Sequence, residues 1–203
     1  QCPYTGSQKW KMFYGETSYV LVCMKEYLDI VDDRGNPTGQ IVERKEAHTK
    51  GILHRTSHVW LVRYKENLEI LVQKRSKNKD SFPDCFDIST AGHIPAGCDY
   101  IESAIREAKE ELNIDLDANH FIYCGQRRKE WKGYFHHQPF WDKQISNVYA
   151  YFYDQEVFDF QKEELQDVLW MDFNQCFDGV KNQSFKNCIS LEELEMIQST
   201  ILK

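Results

Sequence analysis

The hydrophobic positions of this chain fall into short alternating runs broken by turn chemistry, with one stretch that follows a helical period. "EYLDIVDDRGNPTGQIVER" (26–44) reads as strand, turn, strand, because its centre holds the Asp, Gly, Asn and Pro that supply turn geometry. "HVWLVRY" and "LEILVQKR" flank the polar pair Glu66-Asn67, as a hairpin would. Between these two units lies a histidine-bearing connector, "KEAHTKGILHRTSH", and after the second comes a polar loop, "SKNKDSFPDCFD". "ISTAGHI" is a short strand entering a Gly-rich turn. "HFIYCGQRRKEWKGYF", "ISNVYAYFYD" and "DVLWMDF" are further strands, the first two separated by an aromatic loop at 133–144. Short helices are expected around 174–182 and 190–202.

The helical period appears in residues 99–112. Ile101, Ala104, Ile105, Ala108 and Leu112 gather in an arc of roughly 100°, and Asp99 is a plausible N-cap. Glu107, Glu110 and Glu111 fill an adjoining arc at the rim of the apolar one. Arg106 can pair with Glu102 or Glu110, which leaves Glu107 and Glu111 without a basic neighbour one turn away. Either this is a solvated acidic face, or a hard divalent cation resolves the repulsion by taking carboxylate oxygens.

Composition narrows the class. The 203 residues, 41% of them hydrophobic, suffice for one α+β domain with its own core. Residues 1–23 read as an N-terminal extension of unknown role, with "SYVLVC" able to add one strand, ahead of a single domain over 24–203. The extension lacks the charged-then-apolar order of a secretory signal. A net charge of −7 disfavours nucleic-acid polymers and anionic membranes as partners. No apolar run approaches the ~20 residues of a membrane span. Seven scattered cysteines without a CxxC pair resemble neither a disulfide framework nor a zinc site, which points to a reducing, cytoplasmic compartment.

"AGHIPAGCDYIESAIREAKEELNI" (91–114) resembles the G-x5-E-x7-R-E-U-x-E-E-x-G-U signature of the Nudix hydrolase superfamily. Gly92, Arg106, Glu107, Ala108, Glu110, Glu111 and Ile114 fit it; Cys98 stands in place of the first Glu and Asn113 in place of the last Gly. Asn tolerates the left-handed conformation of a helix-ending Gly. The resemblance implies an α/β/α sandwich with a mixed sheet between helices. It implies Mg²⁺ (or Mn²⁺) held by Glu107, Glu110, Glu111 and the backbone carbonyl of Ala91, with Arg106 orienting a carboxylate. It implies hydrolysis of a diphosphate, in which metal neutralises the phosphates and activates water. A further carboxylate must take the proton; Glu163 and Glu164 precede a strand where many family members place a base, and Glu164 is the choice here.

"LDIVDDRGNPTG", "HTKGILHRTSHVW", "LVQKRSKNKDSFPDCFDIS" and "AGHIPAG" look like the branch containing type I isopentenyl-diphosphate isomerase and its hydrolase-like relatives. By that resemblance Arg75 and Lys79 would grip the diphosphate and Trp170 would line the pocket, although a solvated basic loop and a core Trp read equally from the residues alone. Three isomerase metal ligands have counterparts in His48, His54 and His93, which either hold a second metal or, with the set incomplete, keep only a vestigial structural role. The catalytic thiol falls at Ala91, and the two glutamates of that metal site fall at Ile145 and Asn147, so isomerisation lacks its acid–base pair. His136 and His137, beside Phe135, Phe140 and Trp141, either line a substrate entrance or are ordinary loop residues. The expectation is a metal-dependent pyrophosphohydrolase acting on a nucleoside diphosphate derivative or an isoprenoid diphosphate. Its partner is that small molecule, with a homodimer left open. An isopentenyl-diphosphate isomerase and a non-catalytic nucleotide-sensing Nudix module are the alternatives.

Overall fold

The computed structural model describes residues 10–14, 19–23, 25–78, 82–135, 137–156, 158–160, 162 and 165–202. Strands β1 (Trp10–Tyr14) and β2 (Tyr19–Cys23) form an antiparallel pair of their own, as do β3 (Tyr27–Val31) and β4 (Pro37–Glu43). Asp32 builds the β3–β4 turn, its carboxylate accepting from the backbone of Arg34 and Asn36. The connector that follows is no loop. Its first half is helix α1 (Arg44–Lys50), closed by Gly51 in the left-handed conformation. Seven residues are too few to display a helical period in the sequence, and only Ala47 and His48 of them are buried.

The main sheet has the order β11-β6-β5-β10-β9, built from β5 (His54–Tyr64), β6 (Leu68–Arg75), β9 (Ile122–Phe135), β10 (Gln138–Phe152) and β11 (Leu165–Asp172). β10 runs parallel to β5 and antiparallel to β9, so the sheet is mixed. The expected aromatic loop at 133–144 is instead strand, because β9 and β10 keep pairing out to Phe135↔Gln138. Gly133 and Pro139, which break the sequence pattern there, sit in the two strands close to that end.

The β5–β6 hairpin is paired only at its turn end, Val62 to Tyr64 against Leu68 to Ile70. Beyond that the two strands separate, and β7 (Phe86–Asp87) lines β6 while β8 (Thr90–His93) lines β5. Ser89 fills the point of divergence: its hydroxyl accepts from the Leu61 N–H at 2.8 Å and donates to the Leu71 carbonyl at 2.6 Å. The splayed hairpin delivers β8 to the middle of the sheet.

Helices cover both faces. On one, α2 (Tyr100–Leu112) packs Ala104, Ala108 and Leu112 onto Val59, Leu61 and Leu71. On the other, α3 (Phe173–Lys181) and α4 (Leu191–Ile201) pack Phe173, Cys176, Leu194 and Ile197 onto Trp60, Val62, Ile70 and Val148. Alternation along β5 therefore sends Arg55, Ser57 and Val59 toward α2, and His54, Thr56 and His58 toward the opposite side. This is the α/β/α sandwich expected. Among the described residues no helix is long and apolar enough to cross a membrane.

One sequence expectation needs correction. Cys98 is disulfide-bonded, while Cys85, Cys124, Cys176 and Cys188 carry free thiols. Disulfides persist chiefly in oxidising surroundings, so the cysteine pattern loses its weight as an argument for a reducing compartment.

Candidate functional site

The acidic helix begins and ends as its sequence demands. Asp99 caps it by accepting from Ile101 N at 2.9 Å, and Asn113 closes it at φ 52°. The turn before it is pinned from outside. Asp29 of β3 accepts from Arg55 (2.8 Å) and from Gly97 N (3.0 Å), and Arg55 also donates to the Cys98 carbonyl at 3.0 Å. Both Asp29 and Arg55 are buried. Sequence reasoning passed over them, since their contacts span 26 and 43 residues and no local pattern announces a pair so far apart.

Glu107 occupies a slot left by the missing side chain of Gly92. A Cβ at Gly92 would lie 2.2 Å from the Glu107 carboxyl carbon. Burial pushes the Glu107 carboxyl above its ordinary range, and neighbouring Arg106, donating to it at 3.1 Å, only partly offsets that. Arg106 also reaches the His93 carbonyl at 3.4 Å and lies 3.7 Å from the Glu110 carboxylate. Arg106 thus contacts two box carboxylates, and Glu107 does have a basic neighbour, the residue adjacent to it. Glu111 accepts from the Thr90 hydroxyl at 2.8 Å. Ala91, whose carbonyl was expected to help hold the ion, pairs with His58 in the β8–β5 ladder. Three hard carboxylates along one helix face, one of them buried in a glycine-cut slot, are a donor set that fits a divalent cation.

The other predicted residues are more dispersed. Arg75 donates to Asp87 at 2.9 Å. Trp170 donates to the Gln155 carbonyl and carries the Arg63 guanidinium 4.2 Å over its ring, packing at the edge of the α2-side core. Lys79, Glu163, Glu164 and His136 lie outside the described residues.

A second constellation lies on the opposite face of the sheet. His48 of α1, His54 of β5 and His93 of β8 bring ligand nitrogens within 4.8 Å of one another. His48 and His93 approach to 3.2 Å between their Nε2 atoms. Phe140 stacks on His48 with ring centroids 4.5 Å apart. Asp142 of β10, which sequence reasoning left unremarked inside its aromatic loop, places Oδ1 3.8 Å from His48 Nε2 and 3.9 Å from His54 Nε2. Burial lowers all three imidazoles, His48 to about 4, so at neutral pH they are uncharged, the form that ligates metal. Among the described residues, this histidine set is the one with three potential ligands so closely grouped.

Residues 54–187 match the NUDIX domain. The chain belongs to the Nudix hydrolase family. An uncharacterised Nudix hydrolase of Clostridium acetobutylicum is 38% identical over 144 residues, covering 70% of this chain and 67% of that protein. Nudix hydrolase 3 of Arabidopsis thaliana is 41% identical over 97 residues, 48% of this chain but only 12% of that much longer protein. A crystal structure from Deinococcus radiodurans superposes with a TM-score of 0.61 at 21% identity, covering 87% of this chain and 99% of that one, a likeness of fold. The Nudix match begins at His54, the first residue of β5, and so takes in Gly92, Arg106 and all three box glutamates while leaving α1 and His48 ahead of it.

Proposed function

We propose that this Nudix chain is a divalent-metal-dependent pyrophosphohydrolase of the isomerase-like branch, cleaving a nucleoside diphosphate derivative or an isoprenoid diphosphate. The observation that carries the reading is Glu107, sunk into the slot at Gly92 beside Arg106, Glu110 and Glu111. Glu107, Glu110 and Glu111, with the Ala91 carbonyl, would hold Mg²⁺ or Mn²⁺. Such an ion supplies charge neutralisation and activation of water. Arg106 keeps the carboxylates oriented, Arg75 and Lys79 receive the diphosphate as a fork and a point charge, Trp170 borders the substrate, and Glu164 takes the proton.

Isomerisation is disfavoured by what replaces its groups. Ala91 stands where a thiol is needed. Ile145 is buried with Val31 and Leu53 in an apolar cluster, and Asn147 is hydrogen-bonded to Gln126 and Tyr149. The test is phosphate release from a panel of small diphosphates, with and without Mg²⁺. Glu110→Gln and Glu111→Gln are expected to lower turnover by about 10²-fold or more; unchanged turnover would sink the assignment. Isopentenyl diphosphate is expected to yield no dimethylallyl isomer. Nucleotide binding by calorimetry with no turnover across the panel would favour a sensing module instead.

A second ion at His48, His54 and His93 is a further part of this reading. It is supported by the grouping of their nitrogens and by their uncharged state.

A further inference from the structure

We propose that Asp142 is a fourth ligand to the histidine cluster, completing a three-imidazole, one-carboxylate site for a transition metal such as Zn²⁺. This rests on the reading that the three histidines hold an ion, and adds the residue that makes the set closed and selective. The site would be distinct from the box carboxylates in position and in chemistry.

His54 Nδ1 sits 2.8 Å from the Ile52 carbonyl, which can only accept, so Nδ1 carries the proton. That leaves Nε2 of an uncharged His54 as a bare lone pair. It is fully buried and has no hydrogen-bond partner. The atom it faces, Asp142 Oδ1, is also buried and without a hydrogen-bond partner. Two acceptors thus look at each other across 3.9 Å, too far for a hydrogen bond even were a proton present. A buried polar atom left so is unfavourable, and a cation between the two removes both penalties.

The spacing suits coordination. Two bonds of ~2.1 Å span at most about 4.2 Å between ligand atoms. The separations of 3.2, 3.8 and 3.9 Å among His93, His48, His54 and Asp142 fall inside that span. The outer limit of 4.8 Å for the three histidines asks for a closure of about 0.6 Å. The four ligands come from α1, β5, β8 and β10, so the ion would tie the short first helix to the sheet. Imidazole-rich sets favour Zn²⁺ and other borderline ions over Mg²⁺, whereas the all-oxygen box favours the reverse. The second Asp142 oxygen is 3.4 Å from Lys129 Nζ, a cation that competes for the same carboxylate.

The test uses the full chain stripped with chelator and titrated with Co²⁺ as the probe, read by calorimetry and visible absorption. Wild type is expected to show a Co²⁺ binding step with the absorption of a four-coordinate nitrogen–oxygen site, and that step and its spectrum are expected to persist in a Glu110→Gln, Glu111→Gln double variant, which weakens binding at the box. Asp142→Asn is expected to weaken Co²⁺ binding by at least about 10- to 100-fold and to change the spectrum. Lys129→Met, which frees the carboxylate, is expected to tighten it, and serves if Asp142→Asn does not fold. Unchanged binding and spectrum in Asp142→Asn, with loss in His54→Ala, would overturn the role of Asp142 and leave the histidine reading standing. Unchanged affinity in Lys129→Met would count against Asp142 in the same way. Absence of that binding step in wild type, or its persistence unchanged in His54→Ala, would overturn both.

Discussion

Gly92→Ala separates the chemistry of the acidic helix from its stability. The backbone at Gly92 makes no left-handed demand, so the requirement is for space alone. An added Cβ would stand 2.2 Å from Cδ, 2.3 Å from Cγ and 2.5 Å from Oε1 of Glu107. Ordinary carbon contacts are about 3.5–4.0 Å, so the carboxyl must retreat by more than about 1 Å. The colliding atoms are the mobile end of a side chain, and moving them toward water relieves the burial that holds the Glu107 carboxyl up. Stability should therefore fall by only about 1 kcal/mol, the low end of overpacking costs. On the proposed metal-holding role of Glu107, activity should fall far more, by about 100-fold, because a ligand displaced by about 1 Å loses its geometry. Thermal melts and kcat/KM for Mg²⁺-dependent phosphate release measure the two effects on one preparation. Wild-type turnover in a variant that melts normally would refute the idea that Glu107 acts from this slot.

Three other changes are readable from the structure. Glu193 of α4 is buried and accepts from His58 (2.9 Å), Trp60 (3.2 Å) and Arg127 (2.6 Å). Burial alone would push its carboxyl up, yet His58 and Arg127 bring it down to about 2 from 4.5. A depressed carboxyl stabilises the fold above its ordinary value, so on the order of 3 kcal/mol should be lost as pH falls from about 4.5 through about 2. Urea melts across that window should show the loss for wild type and a much flatter profile for Glu193→Gln. Gly51→Ala should cost about 2–3 kcal/mol, because Gly51 has φ 67° and its new Cβ would lie 2.1 Å from Trp141. Gly39→Ala, at φ 84° with nothing within 4 Å, should cost only about 1–2 kcal/mol; equal melting shifts for the two would contradict the packing argument.

The box helix was legible because its signals are local. Asp99, the apolar spacing, the glutamates at i, i+3 and i+4, and Asn113 all lie within fifteen residues and act on neighbouring backbone. The β5–β6 hairpin was legible for the same reason. The α1 helix was not, since seven residues ending at a glycine hold too few turns to show a period. The long β9–β10 pairing was hidden by Gly133 and Pro139, which read as loop although the ladder runs past them. Trp170 and Arg75 could be named from resemblance, but their partners, Arg63 with Gln155 and Asp87, come from separate elements.

By itself the sequence determined the family, the acidic helix with its caps, and the residue types available for metal and phosphate chemistry, all being properties of short spacings. Only the tertiary structure decided which groups meet. The splayed hairpin threads β8 into the sheet centre, and alternation along that strand sends Gly92 to one face and His93 to the other. Two adjacent residues thereby serve separate constellations, Glu107 in its slot and the histidines with Asp142. Asp142 joins the second because β10 runs parallel to β5 with Gln144 opposite His54. That register spans 90 residues of chain, and the burial of one face against a partner strand, which no local stretch displays, is what selects it.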